Sequence, residues 1–153
     1  MEISLSLSLP RDEASVPFVR HVCGDALGRL GVAPDCVSDV EIAITEACTN
    51  VVKHSADARE EYNVKILIDE TSCHITVTDG GSGFDHEARS STVAGADDES
   101  GRGIGLMHAL VDKVKFVSKP EDGTIVHLVK NLELGEESLT RRLERSSAAS
   151  YVS

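Results

Sequence analysis

An α/β fold in one domain is predicted by three observations on a chain of 153 residues. Apolar and polar residues alternate as in strands near residues 3–9, 62–78 and 115–129, and apolar residues recur at helical spacing over 12–30, 34–54 and 104–114. The two patterns are interleaved along a length that suits a single hydrophobic core.

Ile3, Leu5, Leu7 and Leu9 alternate with Ser4, Ser6 and Ser8, which predicts a first strand with one buried face, stopped by Pro10. Its serine face is a weakly defended edge, at which a second copy of the chain is expected to pair as a homodimer. From Asp12 to about Leu30, Val16, Val19, Val22, Cys23, Ala26, Leu27 and Leu30 recur at steps of three and four, so a first amphipathic helix is predicted, ended by Gly31. Arg20 and His21 fall off its apolar stripe.

A second helix is predicted after Pro34, with Asp35 or Ser38 as its cap, running to about His54 with Val40, Ile44, Ala47, Cys48 and Val51 on its inner face. Tyr62 to Asp69 and Cys73 to Thr78 then read as a hairpin joined by Glu70, Thr71 and Ser72. His86 to Ser100 has little apolar periodicity and reads as a mobile loop of fifteen residues, a length that in a compact domain is usually functional or disordered. Ile104, Leu106, Met107, Leu110, Val111 and Val114 predict a third helix, and Lys115 to Ser118 with Thr124 to Val129 a second hairpin around the PEDG turn. The domain is therefore expected to occupy residues 1–133, with a polar tail over 134–153 that is loosely helical or disordered.

A formal charge of −11 opposes direct binding to nucleic acid and favours a partner with basic patches. An anionic ligand would have to be held by local donors. No run of about 18 apolar residues and no secretory leader is present, so a cytoplasmic protein that does not bind membrane is expected. Cys23, Cys36, Cys48 and Cys73 form no CxxC pair and have no His at zinc-like spacing, so they read as small apolar core residues.

Three patches carry the chemistry. In ITEACTNVVKHS, ending at Ser55, Glu46 and Asn50 lie one helical turn apart on the edge of the apolar stripe. They form either a solvated helix flank or a general base beside a hard neutral oxygen ligand for a phosphate-bound Mg²⁺, with Lys53 and His54 a further turn along, within reach of a phosphate. In TDGGSGFD, Asp79 ends a strand and is followed by Gly80, Gly81 and Gly83. That is either a plain glycine turn or a fixed carboxylate that accepts a proton from the exocyclic amino group of adenine, beside backbone able to approach a flat base. In ESGRGIGLMHAL, Gly101, Gly103 and Gly105 stand where a helix begins, a place that favours anions. No GK[ST] follows them and no strand precedes them, so neither a Walker loop nor a dinucleotide fingerprint is present.

In order and spacing, EACTNVVKHS, DGGSGFD and ESGRGIGL resemble the asparagine box and the two glycine boxes of the GHKL superfamily, which takes in gyrase, histidine kinases and MutL. Within it the length and layout, over roughly Ser4 to Lys130, resemble the bacterial anti-sigma factor serine/threonine kinases of the SpoIIAB/RsbW type. The resemblance implies the Bergerat fold, a two-layer α/β sandwich of a mixed β-sheet and about three helices that binds ATP and Mg²⁺ beneath a lid. It implies that Glu46 activates the attacking hydroxyl, Asn50 holds Mg²⁺, Asp79 reads adenine with support from Thr124, and Gly81 and Gly83 line the base. It further implies that Gly101, Arg102, Gly103, Ile104, Gly105 and Leu106 wrap the phosphates and that Lys53 contacts one. Arg20 falls on the family's partner-binding surface, and the implied partners are a sigma factor and a small anti-sigma antagonist of the STAS type.

The chain departs from the family pattern in its lid, where Asp97, Asp98 and Glu99 precede Gly101 and only Arg89 and Arg102 could meet the γ-phosphate, and in its tail beyond Leu134. Two functions follow. Glu46 and the short solitary domain point to a serine kinase of a partner protein that doubles as an anti-sigma factor. The acidic lid and net charge point to the alternative, a non-catalytic, nucleotide-gated interaction module of the same fold.

Overall fold

The computed structural model describes residues 1–54, 61–79, 105–119 and 123–135. In chain order they form β1 (Glu2–Pro10), α1 (Ser15–Arg29), α2 (Pro34–His54), β2 (Glu61–Asp69), β3 (Ser72–Asp79), a third helix α3 (residues 105–110), β4 (Lys113–Lys119) and β5 (Gly123–Asn131). The five strands make one sheet in the order β1-β2-β3-β5-β4.

Every described pairing in that sheet is antiparallel, whereas a mixed sheet was expected. The connections explain the difference. One helix between two strands turns the chain so that the second strand runs parallel to the first, but α1 and α2 in succession reverse it once more, and β2 enters antiparallel to β1. The single helix α3 does return β4 in the direction of β3, but β5 is inserted between them.

The period-2 pattern decides which face is buried. Tyr62, Val64, Ile66 and Ile68 of β2, Cys73, Ile75 and Val77 of β3, and Val126 and Leu128 of β5 all point into one core. From the other side the core receives Val19, Cys23 and Leu27 of α1, Val40, Ile44, Ala47, Cys48 and Val51 of α2, and Met107 of α3. All four cysteines are buried in this layer, as expected of small apolar residues. β1 is an edge strand, so Ile3, Leu5 and Leu7 are only partly buried and Ser4, Ser6 and Ser8 are exposed.

α1 ends in a Schellman motif, with Gly31 at φ 87°. The Gly31 N–H donates to the Gly28 carbonyl at 3.1 Å and the Val32 N–H to the Leu27 carbonyl at 3.1 Å, while the Leu27 and Val32 side chains are both buried. α2 then begins on Pro34 itself, a residue whose fixed φ suits the first helical position, so Asp35 and Ser38 lie inside the helix and do not cap it. The third helix ends earlier than its apolar spacing suggested. Val111 lies just past its end, its N–H still donating to the Met107 carbonyl, and Val114 belongs to β4, which pairs with β5. Lys130 fixes α3 by donating to the Leu110 carbonyl at 2.7 Å and to Asp39 Oδ2 of α2 at 3.2 Å. After β5, Leu134 bridges Val32, so the chain leaves along the α1–α2 turn. The remainder of the predicted tail lies outside the described residues, as do the loop 86–100 and the PED part of the PEDG turn.

Candidate functional site

The site grows from the C-terminal half of α2. Its stripe of Val40, Ile44, Ala47, Cys48 and Val51 is turned fully into the core, which leaves Glu46 half-buried on one flank and Asn50 just inside it. Asn50 is 5% exposed, and its amide nitrogen has no hydrogen-bond partner among the described residues. A buried carboxamide with one unsatisfied end is costly, by about 1–3 kcal/mol, unless a ligand or water completes it.

Beneath this part of α2 lies a short polar stack. The Tyr62 hydroxyl is 2.6 Å from Ser15 Oγ and lies by the Cys48 thiol, so β2, α1 and α2 meet close below Asn50. Burial pushes the Tyr62 phenol up to about 12 against the pull of its bond with Ser15, and burial pushes the Cys48 thiol up to about 12, with the neighbouring Cys23 adding to it. The Cys73 thiol is also raised, first by its hydrogen bond with Cys23 and then by burial. These thiols stay protonated and inert.

Asp79 is the last residue of β3 and is completely buried. Its register partner on β5 is Thr124, itself 2% exposed, so acid and hydroxyl stand side by side on the core face at the end of the sheet. The link to α2 is Arg11, the residue after β1. Its Nη2 donates to the Val52 carbonyl at 3.1 Å and its Nη1 lies 3.9 Å from Asp79 Oδ2. One guanidinium therefore spans the C-terminal end of the helix that carries Glu46 and Asn50 and the aspartate at the end of β3.

The structure thus brings Asn50 and Asp79 to one end of the fold, with Glu46 on the same helix and Thr124 beside Asp79. Lys53 behaves differently. Its side chain is exposed and its Nζ lies 3.9 Å from Glu13 Oε1, on the α1 side of the helix. There it helps to line a groove of about 270 Å³ with Glu13, Val16, Pro17, Thr49 and Val52, which shares no other residue with the predicted site. Gly105 and Leu106 are the first described residues of α3 and are exposed, and a Cβ placed on Gly105 would meet nothing among the described residues. Gly81, Gly83, Gly101, Arg102, Gly103 and Ile104 lie outside the described residues. Arg20 is half-buried on α1, off the core stripe as expected.

Arg11 was not singled out from the sequence. The only signal was a cation placed directly after the strand-stopping Pro10, and nothing in the local pattern says that the chain folds it under a residue 68 positions later.

Residues 9–130 match the family described as the histidine kinase-like ATPase domain. A serine-protein kinase RsbW from Halalkalibacterium halodurans is 30% identical over 87% of this chain and 86% of its own length. One from Listeria monocytogenes is 33% identical over 76% of this chain and 80% of its own. A crystal structure of the RsbU and RsbW domains of a Mycobacterium tuberculosis protein superposes with a TM-score of 0.65 at 19% identity, over 85% of this chain and 32% of that longer one, a likeness of fold. The matched span takes in the asparagine-bearing helix, the aspartate-ended strand, the glycine patch and the Thr124 strand. With similarity of this extent over the residues that build the site, the chain belongs to the histidine kinase-like ATPase domain family, on its RsbW branch.

Proposed function

We propose that this chain is an ATP-dependent serine-protein kinase and anti-sigma factor, which sequesters a sigma factor and phosphorylates a serine of a small STAS-type antagonist. The observation that carries the nucleotide site is the buried Asn50 side chain, whose unpartnered amide nitrogen is a donor that a phosphate oxygen would satisfy, on the helix tied near its C-terminal end through Arg11 to the buried Asp79. The naming of the relatives as serine-protein kinases supports protein serine as the acceptor.

In this reading Asp79 accepts from the adenine amino group and Thr124 supports it from the next strand. Gly81 and Gly83 let the backbone lie against the base, and Gly101, Arg102, Gly103, Ile104, Gly105 and Leu106 enclose the phosphates. Asn50 would hold Mg²⁺ through its amide oxygen, and the ion would neutralise charge on the phosphates. Glu46 takes the proton of the partner's serine hydroxyl while that oxygen bonds to the γ-phosphorus, and the bond to the β–γ bridging oxygen breaks to release ADP. Lys53 reaches a phosphate only by leaving Glu13.

Arg20, half-buried on α1, contributes to the partner surface. The net charge of −11 suits a basic face on the sigma factor. The exposed serine side of the edge strand β1 supports a homodimer. Among the described residues no helix is long and apolar enough to cross a membrane, in keeping with the proposed cytoplasmic site of action.

The test offers the purified protein Mg²⁺, γ-labelled ATP and small STAS-type proteins from the same genome. Label on a partner serine is expected. ATP binding with neither transfer nor hydrolysis would instead establish the nucleotide-gated interaction module.

A further inference from the structure

We propose that Arg11 is a positioning residue that sets nucleotide specificity by holding the Asp79 carboxylate and the C-terminus of α2 in one fixed relation. The proposal rests on the reading of Asp79 as the group that recognises adenine.

Four observations support it. First, the Arg11 side chain is largely enclosed, 14% exposed, and Asp79 is not exposed at all, so their contact at 3.9 Å is shielded from solvent and little screened by salt. Second, the Val52 carbonyl lies in the last described turn of α2, so a cation donating to it meets the negative end of the helix dipole. Third, the two contacts use different nitrogens, Nη2 on Val52 and Nη1 facing Asp79. The rigid planar fork of arginine can therefore serve helix and strand together, which a lysine ammonium does less well. Fourth, Arg11 follows Pro10, whose fixed φ and pairing with Glu61 on β2 hold the start of the arginine in place.

The consequence is chemical as well as geometric. An amino group of a base needs an acceptor, and a carboxylate is acceptor-only while it keeps its negative charge. Burial without a nearby cation favours the neutral carboxylic acid, which carries a donor hydrogen. A donor at this place would meet the amino hydrogens of adenine unfavourably and the carbonyl oxygen of guanine favourably. Arg11, placed just after β1, compensates the buried charge of Asp79. The same guanidinium sets how far Asn50, two residues before Val52, stands from Asp79.

The experiment compares the affinities of ATP and GTP, by competition against a fluorescent ATP analogue, for the full chain and for Arg11→Gln, Arg11→Lys and Asp79→Asn, with a thermal melt of each without nucleotide. For Arg11→Gln, the ATP-to-GTP preference is expected to fall by about tenfold or more, the scale on which a misplaced buried polar group loses discrimination. Arg11→Lys, which keeps the charge but serves only one of the two partners, is expected to lie between that variant and the parent. It is the variant to read if Arg11→Gln does not fold. Equal losses of ATP and GTP affinity, with the preference unchanged in both Arg11 variants, would mark Arg11 as general structural support and overturn the proposal. An unchanged preference in Asp79→Asn would overturn the adenine-site reading and this proposal with it. A lost preference in Asp79→Asn beside parent-like Arg11 variants would overturn the role of Arg11 alone.

Discussion

Asp79 and Thr124 stand directly opposite each other, as register partners on β3 and β5, with 0% and 2% of their surfaces exposed. The pairing places a buried acid on the inner strands of the sheet, not on a loop. Its backbone position is set by a ladder that runs without interruption from Ser72↔Asn131 to Asp79↔Thr124. In the proposed role of Asp79, a carboxylate that discriminates between two bases gains from such a mount, because misplacement by a fraction of an ångström weakens a hydrogen bond steeply.

Removing the acceptor and removing its neighbour should therefore differ in degree. Asp79→Asn, which replaces one acceptor oxygen with a donor nitrogen, is expected to lower ATP affinity by about a hundredfold, and Thr124→Val by about tenfold, as for charged and neutral hydrogen-bond losses. Isothermal titration with a non-hydrolysable ATP analogue reads both. A Thr124→Val variant with parental affinity would show that the hydroxyl does not assist Asp79.

Glu46 lies on the flank of α2 and is only half-buried, so changing it should disturb the core little. Glu46→Ala is expected to reduce phosphoryl transfer to a partner serine by about 10²–10⁴-fold while ATP affinity stays within about threefold of the parent, the pattern for loss of a general base. Single-turnover transfer of labelled phosphate, run beside analogue binding, separates the two quantities. Transfer at the parental rate would remove Glu46 from the mechanism.

For Asn50 the expected signature is dependence on the ion. Asn50→Ala deletes a buried carboxamide with one unpartnered end, so the loss of packing and the relief of an unsatisfied group offset each other, and stability should change by less than about 1.5 kcal/mol. The gain in ATP affinity that Mg²⁺ gives the parent should, however, be lost. Titrations in Mg²⁺ and in EDTA measure that gain directly, and an undiminished gain would exclude Asn50 as the ion's ligand.

Most of the fold was legible because apolar spacing reports burial. The five core positions named on α2 are all buried, and the alternating residues of β2 and β3 face the core as their period requires. The end of α3 was misread because Val114 fits a helical stripe as well as a strand, and only the pairing of β4 with β5 decides between them. The mixed sheet is an implication of the family resemblance, whereas the order of elements, with two helices in succession after β1, already returns β2 antiparallel. The places of Glu46 and Asn50 on α2 and of Asp79 at the end of β3 were legible from the apolar pattern around them. Arg11 was not, because its role exists only through contacts with residues 41 and 68 positions away. The orientation of Lys53 toward Glu13 was equally invisible, since spacing places a lysine on a flank without saying which neighbour it meets.

The register of the sheet also depends on a turn that titrates. Asp69 Oδ1 accepts from the Thr71 N–H at 2.8 Å, the Ser72 N–H at 2.8 Å and the Thr71 hydroxyl at 3.1 Å, closing the turn between β2 and β3. These bonds, that of the Thr71 N–H first, hold the Asp69 carboxyl below the usual carboxylate range. Because its folded-state value is depressed, the stability it contributes is present above the unfolded value of about 4 and is lost as the pH falls through the lower, folded one. Asp69→Ala should cost about 1 kcal/mol near neutral pH, the usual net worth of such bonds, and the gap from the parent should narrow below about pH 4. Urea unfolding of both proteins at neutral pH and at about pH 3 measures it. A gap of the same size at both pH values would mean that the side chain acts in this turn without its charge.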